Sequence, residues 1–378
     1  MKILLIEPNY LTRYKPLGLM RISSLHKAKG NIVKFIKGND LQSASDFGPD
    51  EIWITSLFTF CYPETISTVR FYKKHFSNKR IIIGGILASC QPELFKKEGI
   101  EVHVGLLPEA EEYPPDYDLF PDIDHSLSFT ARGCKNHCPF CLIGQGKYEP
   151  KFYHRDNWIQ DINPKFKKLV FWDNNFLALD DKTFKKDVKI LKELVKKYNI
   201  ISIDFNQGIE AKLFTEEKAK LLEGLPIKPI RFAFDHMGED GHFQRAAELS
   251  KKYGFANISV YILYNWMDTP EDLYYRMKTV SKYASGGGGC GFLMKYQPLN
   301  ALKRGVYIGK HWTKKEVMAI QKINPYPYGQ VSSKTDEEFE YFFGKDATEF
   351  KKLLNFKDIK KLTLLKSSKF NKQKLFKV

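Results

Sequence analysis

The sequence predicts an α/β protein: an N-terminal doubly wound parallel-sheet domain, then a (β/α)6 partial TIM barrel, then a short basic C-terminal extension. Three observations predict it. Short β-branched runs alternate with amphipathic helical stretches over most of the chain, and that alternation is the mark of parallel sheets. Glycine or polar residues stand at the carboxyl ends of those runs, where such sheets place ligands. A stretch at 106–125, rich in Pro, Asp, Glu and Tyr and without periodicity, separates two strand–helix series and reads as a linker. At 378 residues two domains are the better prior. The expected divisions are 1–110, a linker at 111–125, 126–300 and 301–378.

In the first series, the apolar run Ile3-Leu4-Leu5-Ile6 ends at Pro8 and reads as a buried strand, not a secretion signal. Residues 16–25 place apolar side chains at helical spacing, and Gly30 ends that helix. Strands follow at 33–36 and 51–57, a helix at 63–76, a strand at 80–83 stopped by Gly84 and Gly85, and a last strand at 102–104. Ser56, Gly84 and Gly85 fall at strand ends. A glycine at 85 either lets a flat ligand approach the backbone or makes a tight turn.

The second series opens with a strand at 126–131, then a cysteine-rich loop. Strands are expected at 168–173, 201–206, 230–235, 258–263 and 290–296, with helices at 180–198, from Thr215, at 241–253 and from Thr269-Pro270. Polar residues recur at the strand ends: Asp173, Asn206, Gln207, Asp235, Asn265 and Gln297. Beyond Pro298 the pattern is irregular and rich in Tyr and Lys.

Composition narrows the function classes. No apolar run reaches the roughly 18 residues of a membrane span. The expectation is a reduced, cytoplasmic chain, in which close cysteines mean metal or redox chemistry more often than disulfides. Net charge is +16, of which +9 lies in residues 351–378, with ten lysines and one acid. Such a tail is an electrostatic foot for nucleic acid or a solvated lysine-rich helix.

Cys134, Cys138 and Cys141 are spaced C-x3-C-x2-C. Gly133 and Pro139 argue for a loop rather than a helix, and a loop can turn three sulfurs toward one cluster. Zinc held by the three cysteines and His137 is the main alternative, and with the basic tail it would make a non-catalytic nucleic-acid-binding protein. No second ligand pair follows at zinc-ribbon spacing.

This loop, with Phe140 just before its last cysteine and a strand–helix series behind it, resembles the radical S-adenosylmethionine (SAM) superfamily over roughly residues 125–300. The resemblance implies a 4Fe–4S cluster on Cys134, Cys138 and Cys141, with the fourth iron open to SAM. It implies reductive cleavage of SAM to a 5′-deoxyadenosyl radical that modifies a C–H position, fed by an electron donor such as flavodoxin or ferredoxin. Phe140 would pack near the adenine. The family's Gly-Gly-Glu is replaced by Trp172-Asp173-Asn174-Asn175-Phe176, which makes Asp173 and Asn174 candidates for the SAM amino group. Gln207, Glu210, Asp235 and His236 are candidates for ribose or substrate. Residues 1–110 resemble the Rossmann-like cobalamin-binding domain that precedes such barrels, with Ser56, Gly84 and Gly85 at its landmarks. The resemblance thus makes cobalamin a candidate cofactor and methylation a candidate reaction. The axial Asp-x-His-x-x-Gly motif is missing; 13–18 keeps only Gly18. Cys61, Cys90 and Cys290 remain. Two cysteines in the leading domain are too few for a second cluster, and Cys290, after the glycines at 286–289, is a candidate hydrogen donor or buried packing residue. Recognition of tRNA or DNA through the basic surface is a further alternative.

Overall fold

The computed structural model describes residues 1–357 except 147, 150, 256, 285–288, 327, 328 and 334. The tail from 358 on and most of the glycine run therefore lie outside the described residues. Two compact units emerge: Met1–Asn174 with Gln297–Val306, and Asn175–Tyr296 with the chain from Tyr307 on.

The first unit is built on β1 (Lys2–Glu7), β2 (Ile32–Lys37), β3 (Glu51–Ser56), β4 (Arg80–Gly85) and β5 (Glu101–Val102), all parallel, in the order β2-β1-β3-β4-β5. Alternation along the strands sorts side chains to two faces. Leu4, Ile6, Ile52, Ile54, Ile81 and Ile83 pack with α2 (Leu41–Phe47), α3 (Tyr62–His75), α4 (Ile86–Cys90) and α5 (Glu93–Lys96). Ile3 and Leu5 pack on the other face with Leu19 of α1 (Leu17–Ala28). The sheet is thus doubly wound, as expected. Leu302 returns to pack on the α3 face, and Arg304 lies 4.3 Å from the Phe60 ring.

The stretch read as a linker is ordered. Residues 108–123 hold α6 (Pro108–Glu111) and a 3-10 turn at Tyr117–Leu119, and Phe120 and Ile123 are buried against Leu17 and Met20. Ser23 Oγ donates to Asp116 at 2.5 Å. The acids here serve as acceptors for the preceding domain, which is why the run lacks amphipathic periodicity.

The strand expected at 126–131 is divided. β6 (Ser126–Ser128) pairs in parallel with β9 (Lys168–Phe171), whereas β7 (Ala131–Arg132) pairs antiparallel with β8 (Tyr153–His154). The break lies at Thr130, whose N–H donates to the Asp173 side chain instead of a neighbouring strand.

In the second unit the elements are α7 (Asp181–Tyr198), β10 (Ser202–Phe205), α8 (Glu216–Leu222), β11 (Ile230–Ala233), α9 (His242–Lys252), β12 (Ile258–Tyr264), α10 (Pro270–Ala284) and β13 (Cys290–Lys295). β11, β12 and β13 are parallel, and β14 (Gln330–Val331) joins β13 antiparallel. The region past Pro298 is more regular than its sequence suggested. α11 (Lys314–Ile323), α12 (Asp336–Phe343) and α13 (Ala347–Leu354) start at Thr313, Thr335 and Asp346, whose side chains accept from the N–H three residues on. Phe339 and Phe350 set their rings 5.7 and 5.5 Å from Tyr274 of α10. Among the described residues no helix is long and apolar enough to cross a membrane.

Candidate functional site

The cysteine loop is a closed excursion. Residues 133–152 leave the fold after Arg132 and return at Tyr153, and the Ala131↔His154 and Arg132↔Tyr153 pairs pin both ends. Gly133 begins it with φ +71°, and a Cβ there would stand 2.1 Å from the Lys151 carbonyl oxygen. Only glycine fits this crossing. Gly144 is crowded in the same way, with a Cβ position 2.6 Å from Cys138 N and O. The loop therefore folds back tightly on its own second cysteine. Cys141 N donates to Cys138 O at 3.0 Å, and Asn136 N to Cys134 Sγ at 3.4 Å.

Cys134, Cys138, Cys141 and Phe140 are half-buried, and His137 is exposed. No disulfide engages any of the six cysteines. Among the described residues no three His, Cys, Asp or Glu side chains are gathered closely enough to hold a metal ion. The three sulfurs share one short excursion without being drawn to a point, and His137 completes no zinc set.

Beneath the loop, Asp173 is 2% exposed. Thr130 N donates to its Oδ2 at 3.0 Å, Ala131 N to its Oδ1 at 2.7 Å, and the Thr130 hydroxyl also donates to Oδ1. Burial pushes the carboxyl up to about 6 against the pull of those donors. Gly133 N donates to Asn174 Oδ1 at 3.0 Å and to Glu149 Oε2 at 2.9 Å. Asp173 and Asn174, expected at the SAM amino group, are thus both committed to the backbone that launches the loop.

A buried charge network, not foreseen from sequence, supports the same base. Arg132 donates to Glu149 and Glu111 at 2.9 Å and lies 3.5 Å from the Phe129 ring centre. Asp161 Oδ2 accepts from Arg21 at 2.7 Å, Arg155 at 2.8 Å and Ser128 at 2.7 Å. Burial raises the Glu111 carboxyl, but Arg132 and Arg21 outweigh it and hold it below its usual range. Three guanidiniums face three carboxylates, so the charge balances and each buried ion keeps a partner. The available signal was arginine at the end of an apolar strand-like run, at 132.

In the leading sheet, Ser56, Gly84 and Gly85 do sit at the ends of β3 and β4, but they serve each other. Ser56 Oγ donates to Gly84 O at 2.7 Å and accepts from Ala88 N at 3.0 Å. A Cβ on Gly85 would stand 2.2 Å from Ser56 O. The glycine is required by the turn itself. Gly18 has nothing within 4 Å of a would-be Cβ, so sterics do not demand it. His103, beside Gly84, has a buried Nε2 with no partner among the described residues.

In the second unit, Glu210 accepts from Asn175 Nδ2 at 2.6 Å, and Gln207 is exposed. Asp235 Oδ1 accepts from Leu263 N at 3.0 Å. Burial and the Glu239 charge push its carboxyl up to about 7. Arg276, fully buried, donates to the carbonyls of Phe234, Asp235 and Leu263 and to Asp268 at 2.8 Å. Those bonds clamp the ends of β11 and β12. His236 Nδ1 accepts from Gly238 N at 3.1 Å and caps a short turn. Cys290 opens β13 opposite Ser259, and burial pushes its thiol up despite Arg231.

No protein-family model matches the chain, and no curated protein matches its sequence. Among solved structures it is similar to the radical S-adenosylmethionine methyltransferase TsrM from Kitasatospora setae, solved with cobalamin and a [4Fe–4S] cluster bound. The TM-score is 0.61 at 13% identity, over 79% of this chain and 77% of that one. The chain shares its fold with that protein. In this chain the five-stranded sheet comes first, and the cysteine excursion leaves between β7 and β8.

Proposed function

We propose that this chain is a radical SAM enzyme whose 4Fe–4S cluster is held by Cys134, Cys138 and Cys141. The observation that carries the reading is a C-x3-C-x2-C excursion, glycine-anchored at its base, on a chain that shares its fold with a radical SAM methyltransferase. The donor set fits: three half-buried thiols on one loop supply three soft ligands and leave one iron open. Closing the three sulfurs on the cluster is part of the proposal, since they are not gathered in the structure. When bound, the cluster would supply the electron that cleaves SAM to a 5′-deoxyadenosyl radical.

The chain's own residues would do the positioning. Asp173, Asn174 and Glu149 hold Thr130, Ala131 and Gly133, so the first cysteine leaves from a fixed point. With the Asn174 oxygen engaged by Gly133, its amide nitrogen faces the role of donor to the SAM carboxylate rather than acceptor for the amino group. Phe140 would flank the adenine, and Gln207, Glu210 and Asp235 would contact ribose or substrate. A neutral Cys290 thiol could give up a hydrogen atom.

Transfer of a methyl group through cobalamin is the finer reading, favoured by the leading domain and by the corrinoid in the similar structure. The fit is partial: Ser56 and Gly85 are taken by the turn, while the His103 imidazole is the polar group the chain would offer.

Anaerobic reconstitution tests the reading. About four irons per chain are expected, lost on Cys134→Ala, Cys138→Ala or Cys141→Ala, with 5′-deoxyadenosine formed from SAM and dithionite. One zinc per chain, or no SAM cleavage by a fully loaded cluster, would sink it. Reconstitution with hydroxocobalamin, read by its visible spectrum after gel filtration, tests the corrinoid separately.

A further inference from the structure

A cavity of about 270 Å³ opens in the first unit at the carboxyl ends of β1 and β2. Its apolar wall is Phe35 and Phe120, rings at 4.7 Å and edge-on. Its charged groups are Arg13, Lys15, Lys37, Glu7 and Asp122. Three cations thus meet two acids, and the acids are unequal partners. Asp122 takes up Lys15 at 2.5 Å near the surface. Glu7 is 3% exposed and lies 3.5 Å from Lys37, too long for a good hydrogen bond. Burial raises its carboxyl against the pull of Lys37 and Lys15. Arg13 is exposed and has no ion pair or hydrogen bond among the described residues.

The cavity is separate from the corner formed by Ser56, Gly84 and Gly85. Glu7 continues the set Ile3 and Leu5, on the α1 face of the sheet; Ser56 continues Ile52 and Ile54, on the α3 face. It is also below the roughly 300–1,000 Å³ of sites for drug-sized ligands, so a corrin ring does not enter it. A flat body lying against the single wall that Phe35 and Phe120 form together would bring a terminal anion to Arg13 and Lys37.

We propose that this cavity binds a small anion, a carboxylate or phosphate monoester carried on a flat apolar body, with Arg13 and Lys37 as its charge partners and Phe35 and Phe120 as its wall. The site does not depend on the cluster or on SAM.

Calorimetric titration of the full chain with phenyl phosphate and with benzoate tests it. At least one should bind saturably, and Arg13→Ala or Lys37→Met should each weaken that binding about tenfold, the loss of one charge-assisted hydrogen bond. Both side chains reach solvent, so the variants should fold; Lys74→Ala, on α3, controls for net charge and should bind like the parent. Absence of saturable binding by either probe up to about 10 mM would overturn the proposal. Equal weakening by Lys74→Ala, equal affinity for inorganic phosphate, or equal affinity for benzyl alcohol would overturn it as well.

Discussion

Asp173→Ala tests whether a buried carboxylate fixes the base of the cysteine excursion. The side chain accepts from two backbone N–H groups and one hydroxyl, all buried. A stranded buried donor costs about 1–3 kcal/mol, so the gross loss for three is about 3–9 kcal/mol. Against it stands the penalty of burying the charge. The carboxyl is raised from 3.8 to about 6, which costs the native state about 3 kcal/mol at pH 8 and about 1.6 kcal/mol at pH 5. The sign follows from proton counting. Between those values the folded chain holds a proton that the unfolded chain has released, so stability falls as pH rises. Alanine removes that term. The variant should therefore be destabilised by up to about 6 kcal/mol at pH 8 and by about 1.4 kcal/mol more at pH 5. Guanidinium unfolding of the metal-free, reduced chain, followed by tryptophan fluorescence, measures both; Trp172 adjoins the site. A cost that is the same at the two pH values, or a gain in stability, would refute the reasoning.

Gly133→Ala should lower stability by at least about 2 kcal/mol, because it combines a left-handed backbone with a Cβ at 2.1 Å from Lys151 O; trypsin cleavage within 133–152 should speed up accordingly. Glu111→Ala should cost about 3–5 kcal/mol by leaving three buried guanidiniums against two carboxylates, Glu149 and Asp161, read in the same unfolding assay. Thr313→Ala should cost about 1 kcal/mol through the lost N-cap of α11, with a fall in helical circular dichroism confined to the first part of the transition. A loss above 3 kcal/mol there would mean the hydroxyl does more than cap.

The fold was legible where side-chain period and burial coincide. Ile3 to Ile6, Ile52, Ile54 and Ile81 to Ile83 are buried in parallel strands, and a β-branched run stopped by Gly84-Gly85 has few other readings. The three C-terminal helices left a signal that period alone does not carry: Thr313 with Glu316, Thr335 with Glu338 and Asp346 with Glu349 each stand three apart. The division at Thr130 was hidden because a side chain 43 positions away replaces a ladder bond there. Glu111 was read as linker because one residue among acids looks like any other; its depth comes from Arg21, Arg132 and Arg155 converging from three distant places. At the candidate site, the cysteines were visible from spacing alone. That Asp173, Asn174, Ser56 and Gly85 spend themselves on the chain's own backbone was not, since composition shows which groups can bond but not which are already spent.

The return of Leu302 and Arg304 to the first sheet has a practical side. A fragment cut at 174 would lack the segment that caps the α3-face core and lies over Phe60. No contiguous piece of the gene encodes that body by itself. Swapping the leading domain between related chains would therefore need two grafts, 1–174 and the ten residues of Gln297–Val306, moved together.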